Sequence, residues 1–179
     1  MILCGGRASR MGEDKALVDW AGRRAVDRVA DIAAAAGARA LVTVGPAHYG
    51  FPAIADDELF AGPVGGILAG ARALTAQACT RALVLAVDTP TLAAADLGPL
   101  LAHGGPAAYD GLHLPLVLDL AALPAAAASG MRISAFATQV GAVRLPVPPG
   151  AATRLRGANT PEEHAVLLAE LRAARPDAG

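Results

Sequence analysis

A chain of 179 residues suits one domain with a sizeable core. Fifteen basic against sixteen acidic side chains leave a net charge of −1, which excludes the basic excess that a nucleic-acid-binding surface needs. Although 54% of residues are apolar, no apolar stretch reaches the roughly 20 residues that span a bilayer, so neither nucleic acid nor membrane is an expected partner.

The chain starts with a short apolar run, Met1-Ile2-Leu3-Cys4, that stops at Gly5-Gly6. The run predicts a buried parallel strand, and the glycine pair permits a tight turn with close approach of a ligand to the backbone. Arg7, Arg10, Gly12 and Lys15 follow in the same loop. Cations and main-chain N–H groups in one concave loop suit a polyphosphate; the alternative is an ordinary solvated loop. The spacing fits neither a P-loop, whose lysine follows its second glycine directly, nor the dinucleotide G-x-G-x-x-G pattern. Glycines and arginines so close to the start do not read as a secretory leader, and the cytoplasm is the expected compartment.

Residues 23–36 carry apolar side chains at helical spacing, closed by Gly37. Residues 40–44 read as a second strand, stopped by Gly45-Pro46, and 51–57 as a weaker third, ending in Asp56-Asp57. Gly62-Pro63-Val64-Gly65-Gly66 precedes a helical stretch over 67–74. Its N–H groups could receive a base edge or phosphate, or its glycines could serve close packing on the sheet. Residues 81–87 are the clearest strand and end in Asp88-Thr89-Pro90. Ligands of open α/β sheets lie beyond the carboxyl ends of strands, so Asp88 is a candidate magnesium ligand, or else a turn or cap residue. Asp96 falls in the next helix and reads as solvated.

Strand–loop–helix units alternate to about residue 101, which predicts a doubly wound, mostly parallel sheet. Beyond it, 107–109 and 112–113 flank the turn dipeptide Asp110-Gly111 and predict a short hairpin. An alanine-rich helix over 120–128, a helix over 132–140 and a strand over 143–147 follow. The hairpin and paired helices are expected to cap the sheet edge, where a second substrate would bind. Thr160, Pro161 and Glu163 form a capping box for a last helix with Ala165, Leu167, Leu168 and Leu171 on its apolar face. That box leaves Asn159 unexplained; its amide can donate and accept beside a ligand. Cys4 and Cys79 read as small apolar residues, and His48, His103, His113 and His164 are too scattered for a zinc site.

Together, Gly5-Gly6 with Arg10-Met11-Gly12 and Lys15, Gly62-Pro63 with Gly65-Gly66, Asp88-Thr89-Pro90, and Asn159-Thr160-Pro161-Glu162 resemble the nucleotidyltransferases of the molybdenum cofactor guanylyltransferase family. Leu114-Pro115-Leu116 and Ser129-Gly130-Met131-Arg132 extend the resemblance over nearly the whole chain. It implies a single-domain three-layer α/β/α, Rossmann-like nucleotidyltransferase fold over 1–179, with a nucleotide-binding half (1–101), an acceptor-binding half with the C-terminal helix (102–179), and a small hairpin/helix cap. It implies Mg²⁺-dependent transfer of GMP from GTP to the terminal phosphate of molybdopterin, with release of pyrophosphate. Leu3, Cys4, Gly5 and Gly6 would wrap the nucleotide, and Gly62 and Pro63 would contact it. Arg10 and Lys15 would neutralise the triphosphate. Asp56 or Asp57 would touch the nucleotide, Asp88 would hold Mg²⁺, and Asn159 would lie near the reacting phosphates. The implied state is a monomer in transient contact with cofactor-assembly proteins. Gly45 and Gly157 depart from the family pattern, which has asparagine at both places. The competing expectations are transfer of another base or to another acceptor, and a GTP-binding protein without turnover.

Overall fold

A computed structural model of the chain describes residues 1–5, 14–55, 62–124, 127 and 130–174. Gly6, Arg10, Asp56, Asp57 and Ser129 lie outside the described residues. A seven-stranded sheet forms the middle layer. Its strands are β1 (Ile2–Leu3), β2 (Thr43–Val44), β3 (Ala53–Ile54), β4 (Arg81–Ala86), β5 (Ala107–Tyr109), β6 (Leu116–Asp119) and β7 (Val143–Leu145). The order across the sheet is β3-β2-β1-β4-β6-β5-β7. All neighbours are parallel except β6, which runs against both β4 and β5. The mostly parallel expectation therefore holds.

Alternate residues of β1, β4, β5 and β6 enter opposite cores, as a period of two requires. Ile2, Leu85, Tyr109 and Val117 join one cluster with α1 (Ala25–Ala35), α3 (Gly98–Ala102) and α5 (Pro161–Ala173). Leu3, Val84, Ala108, Leu116 and Leu118 join the other with α2 (Gly62–Ala76) and α4 (Ile133–Gln139). The result is the expected three-layer α/β/α architecture. Among the described residues no helix is long and apolar enough to cross a membrane.

Helix α2 starts at Gly62, ahead of the expected residue 67, so Gly65 and Gly66 lie inside it. A Cβ at Gly70 would stand 2.9 Å from Met1 Sδ and 3.0 Å from Val44 Cγ2, and one at Gly66 would stand 3.1 Å from Val44 Cγ1. At Gly66 and Gly70, glycine lets the helix lie close on β1 and β2.

Three expectations need correction. The hairpin partner of β5 is β6, not residues 112–113, and it sits inside the sheet rather than capping an edge. Leu116, Val117 and Leu118 are buried and suit an interior strand, whereas His113 is exposed. Residues 120–122 form only a 3-10 turn, capped by Asp119 accepting from Ala121 N–H at 3.0 Å. A helix continued through Pro124 would lose a donor and clash with the preceding turn. Finally, Asp96 is not solvated: it is 3% exposed, in a 3-10 turn (Ala94–Leu97) ahead of α3.

The capping box of α5 forms as expected, with Glu163 N–H on Thr160 Oγ1 at 3.2 Å and Thr160 N–H on Glu163 Oε2 at 3.2 Å. Leu167 is buried, and Leu168 and Leu171 pack beside it, while Ala165 stays exposed.

Candidate active site

Strands β1 and β4 are parallel neighbours, so the loops beyond both carboxyl ends share one edge of the sheet. Asp88 stands two residues past β4. The chain that leaves β1 returns to this edge at Lys15. From the far end of the sequence, the segment ahead of α5 brings Asn159. Lys15 Nζ donates to Asn159 Oδ1 at 2.8 Å and lies 3.5 Å from Asp88 Oδ2. The Lys15 and Asp88 side chains are 24% and 26% exposed. Lys15 is the only lysine among the fifteen basic residues, and Asn159 is the only asparagine. A chain that otherwise uses arginine has here a compact point charge with three rotatable donors.

Each member is held by its own local structure. Asp14 caps the turn at Lys15, its Oδ1 accepting from Ala16 N–H at 3.0 Å and its carbonyl from Leu17 N–H at 2.9 Å. Buried Tyr49 donates its hydroxyl to Asp14 Oδ2 at 2.7 Å. Burial, followed by that carboxylate, pushes the Tyr49 phenol above its ordinary range. The Asp88 carbonyl accepts from Ala158 N–H at 3.0 Å, and Glu163 Oε2 accepts from Asn159 N–H at 2.6 Å. The capping box thus also fixes the Asn159 backbone, which the sequence pattern did not reveal.

A cleft beside these groups is lined by Lys15, Val18, Trp20, Val87, Asp88, Ala158 and His164. Trp20 and His164 meet nearly edge to face, with ring centroids 4.4 Å apart, and His164 Nε2 lies 3.1 Å from the Asp19 carbonyl. Sequence reasoning missed Asp14, Tyr49, Trp20 and His164 as parts of this region. Only Asp14, directly before Lys15, carried a local signal, as a turn-capping residue type.

The other expected site residues are placed as follows. Leu3 and Cys4 are buried, and the sheet uses part of their main chain: Val87 N–H donates to the Leu3 carbonyl at 3.1 Å, and Cys4 N–H to the Val44 carbonyl at 2.7 Å. Burial pushes the Cys4 thiol up to about 12, so it stays protonated and inert. Gly5 is exposed, with open space where a Cβ would stand. Gly62 and Pro63 begin α2, and Gly62, at φ +70°, faces Gly130. The structure thus brings together Lys15, Asp88 and Asn159, three residues that the sequence pattern named.

The two departures have physical accounts. A Cβ at Gly45 would stand 3.1 Å from Cys4 C, Cys4 Cβ and Gly5 N, so a side chain at the end of β2 requires the neighbouring backbone after β1 to give by a few tenths of an ångström. A Cβ at Gly157 would stand 3.3 Å from Asp88 Cγ and Oδ2. The backbone at 157 is outside the left-handed region, so alanine fits the chain but forces the carboxylate aside by a few tenths of an ångström. Gly157→Ala is expected to lower kcat/KM roughly tenfold while the melting temperature stays within about 2 °C of wild type. Steady-state assays beside a melting curve check this.

Among the described residues no three His, Cys, Asp or Glu side chains gather as a metal cluster. Asp88 Oδ2 and Asn159 Oδ1 are hard oxygen donors of the kind a divalent cation takes, and both face the Lys15 ammonium.

The chain is similar to known proteins over most of its length. Residues 1–137 match the family model described as MobA-like NTP transferase domain. The chain is 37% identical to the molybdenum cofactor guanylyltransferase of Xanthomonas euvesicatoria, across 95% of this chain and 94% of that protein. It is 36% identical to the molybdenum cofactor guanylyltransferase of Acidiphilium cryptum, across 79% of each. The fold superposes with a TM-score of 0.74 on molybdopterin-guanine dinucleotide biosynthesis protein A of Archaeoglobus fulgidus, at 20% identity, covering 97% of this chain and 98% of that one. With its strand-end aspartate, loop lysine and α5-leading asparagine on one sheet edge, the chain belongs to the MobA-like NTP transferase domain family.

Proposed function

We propose that this protein transfers GMP from GTP to the terminal phosphate of molybdopterin. The observation that carries the reading is the meeting of Lys15, Asp88 and Asn159 at the carboxyl ends of β1 and β4. The names of relatives at 36% and 37% identity support guanine as the base and the molybdenum cofactor as the acceptor. In the reaction, an acceptor phosphate oxygen forms a bond to the α-phosphorus of GTP. The bond from that phosphorus to the bridging oxygen breaks, and pyrophosphate leaves with the electron pair. The nucleophile is already anionic, so no general base is needed. The protein's work is positioning and charge neutralisation. Lys15 supplies a cation to the polyphosphate, joined by Arg10 from the N-terminal loop. Asp88 and the Asn159 amide oxygen would hold Mg²⁺, which when bound offsets negative charge on the phosphates. Leu3 to Gly6, Asp56 or Asp57, and Gly62-Pro63 are the proposed nucleotide contacts. The protein is proposed to work as a cytoplasmic monomer that meets cofactor-assembly proteins transiently.

The test is a melting series with Mg²⁺ and each of GTP, CTP, ATP and UTP, followed by pyrophosphate release with molybdopterin. A ligand at 100 times its Kd adds about 2.7 kcal/mol to the native state. The expected result is a selective GTP shift and pyrophosphate release that requires molybdopterin. A selective CTP shift moves the reading to cytidylyl transfer. GTP binding without release, the outcome that Gly45 and Gly157 would favour, makes the protein a carrier rather than a catalyst.

A further inference from the structure

The ion pair between Asp96 and Arg154 lies outside the site but bridges the two segments that build it. Arg154 Nε donates to Asp96 Oδ2 at 2.8 Å and Nη2 donates to Oδ1 at 2.5 Å, a bidentate fork. The Asp96 side chain is 4% exposed, and its Oδ2 also accepts from Ala93 N–H at 2.9 Å. Buried Tyr109 on β5 donates its hydroxyl to the Asp96 carbonyl. Burial alone would push the Asp96 carboxyl up, but the hydrogen bonds from Arg154 and Ala93 and the Arg154 charge outweigh it and hold the group below its ordinary range. Its contribution to stability is therefore complete above about pH 4 and is lost as pH falls through the lowered value.

The placement of this pair is what matters. Asp88 and Asp96 belong to one segment past β4, and Arg154 and Asn159 to one segment ahead of α5. Two further bonds join the same segments: Thr91 Oγ1 to the Arg154 carbonyl at 3.0 Å, and Ala158 N–H to the Asp88 carbonyl at 3.0 Å. Thr91 and Ala158 bond only main-chain acceptors, whereas Arg154 fixes the direction as well as the distance of approach. Between Arg154 and Asn159 lies Gly157, where an added Cβ would stand 3.3 Å from Asp88 Cγ and Oδ2.

We propose that Asp96–Arg154 is a positioning pair that sets the spacing of Asp88, Asn159 and the Lys15 they share. The catalytic part of this inference rests on the nucleotidyl-transfer reading; the geometric part does not. Because Asn159 is the only asparagine, ¹⁵N-asparagine labelling gives one side-chain amide to observe.

The experiment compares wild type, Arg154→Met and Arg154→Lys in three measurements. These are the melting temperature, the Asn159 amide resonances without nucleotide or metal, and the Mg²⁺ dependence of pyrophosphate release well below melting. For Arg154→Met the expected results are a displaced Asn159 amide, a roughly tenfold lower kcat and a roughly fivefold higher half-saturating Mg²⁺ concentration. Arg154→Lys, with the charge but not the fork, is expected to fall between. If Arg154→Met melts lower but keeps wild-type amide resonances, kcat and Mg²⁺ dependence, the pair is only structural and the proposal is overturned. If Arg154→Met does not fold, Arg154→Lys decides by the same measurements. If wild type shows no transfer, the functional reading falls, and the Asn159 amide alone decides whether the pair positions the site.

Discussion

Asp88→Ala is expected to lower kcat/KM for nucleotidyl transfer by at least ~10³-fold, about 4 kcal/mol of lost transition-state stabilisation. Among the described residues the Asp88 side chain is the only carboxylate that pairs with Lys15. The fold should survive the change. What Asp88 gives to the architecture is its carbonyl, which accepts from Ala158 N–H and is untouched by truncation of the side chain. Its partly exposed ion pair with Lys15, at 3.5 Å, is worth at most about 1 kcal/mol. A melting temperature near wild type together with lost turnover is the expected pattern. Near-normal pyrophosphate release by the folded variant would remove Asp88 from the metal role.

Lys15→Ala is expected to raise KM for GTP and lower kcat together, with kcat/KM down about 10²-fold. A cation that faces the triphosphate in both ground and transition states weakens both when it is removed. Lys15→Arg separates charge from shape. The guanidinium keeps the charge but presents a wider, planar fork, whereas Nζ now reaches Asn159 and Asp88 from one point. The expected result is recovery of GTP affinity with little recovery of kcat. Full recovery of both by arginine would mean that Lys15 supplies charge alone and that its contact with Asn159 has no role in turnover.

The parts of this molecule that were legible in the sequence are those governed by neighbours in the chain. The apolar run before Asp88, the helical spacing of Val26, Val29 and Ala33, and the Thr160–Glu163 box each declare themselves within a few residues, and the structure contains all three. Lys15, Asp88 and Asn159 were legible as types at strand ends and helix starts. Their meeting was carried by the family resemblance and not by any local pattern. The misreadings share one cause. Asp110-Gly111 is a turn signal with two plausible arms beside it, but β6 also pairs with β4, more than thirty residues back in the chain, and that pairing decides which arm is used. Asp96 looked solvated because its partner Arg154 is 58 positions away. Tyr49 sits in an unpatterned loop and acquires its place only when Asp14, 35 positions earlier, turns beneath it.

The bond from Lys15 to Asn159 spans 144 positions, so the contact that completes the site also ties most of the chain into a ring. The entropic cost of such closure grows slowly with length, about 0.6 kcal/mol per doubling, but it is met before the contact returns anything. Strands β1 to β4 lie at or before residue 86 and can pair among themselves, whereas Asn159 follows β4 by more than seventy residues. A nascent chain that stops short of Asn159 therefore carries its lysine and its aspartate without the residue that joins them. The contact is complete only once the segment ahead of α5 is made, and a product truncated before that segment is a sheet without the Lys15–Asn159 bond.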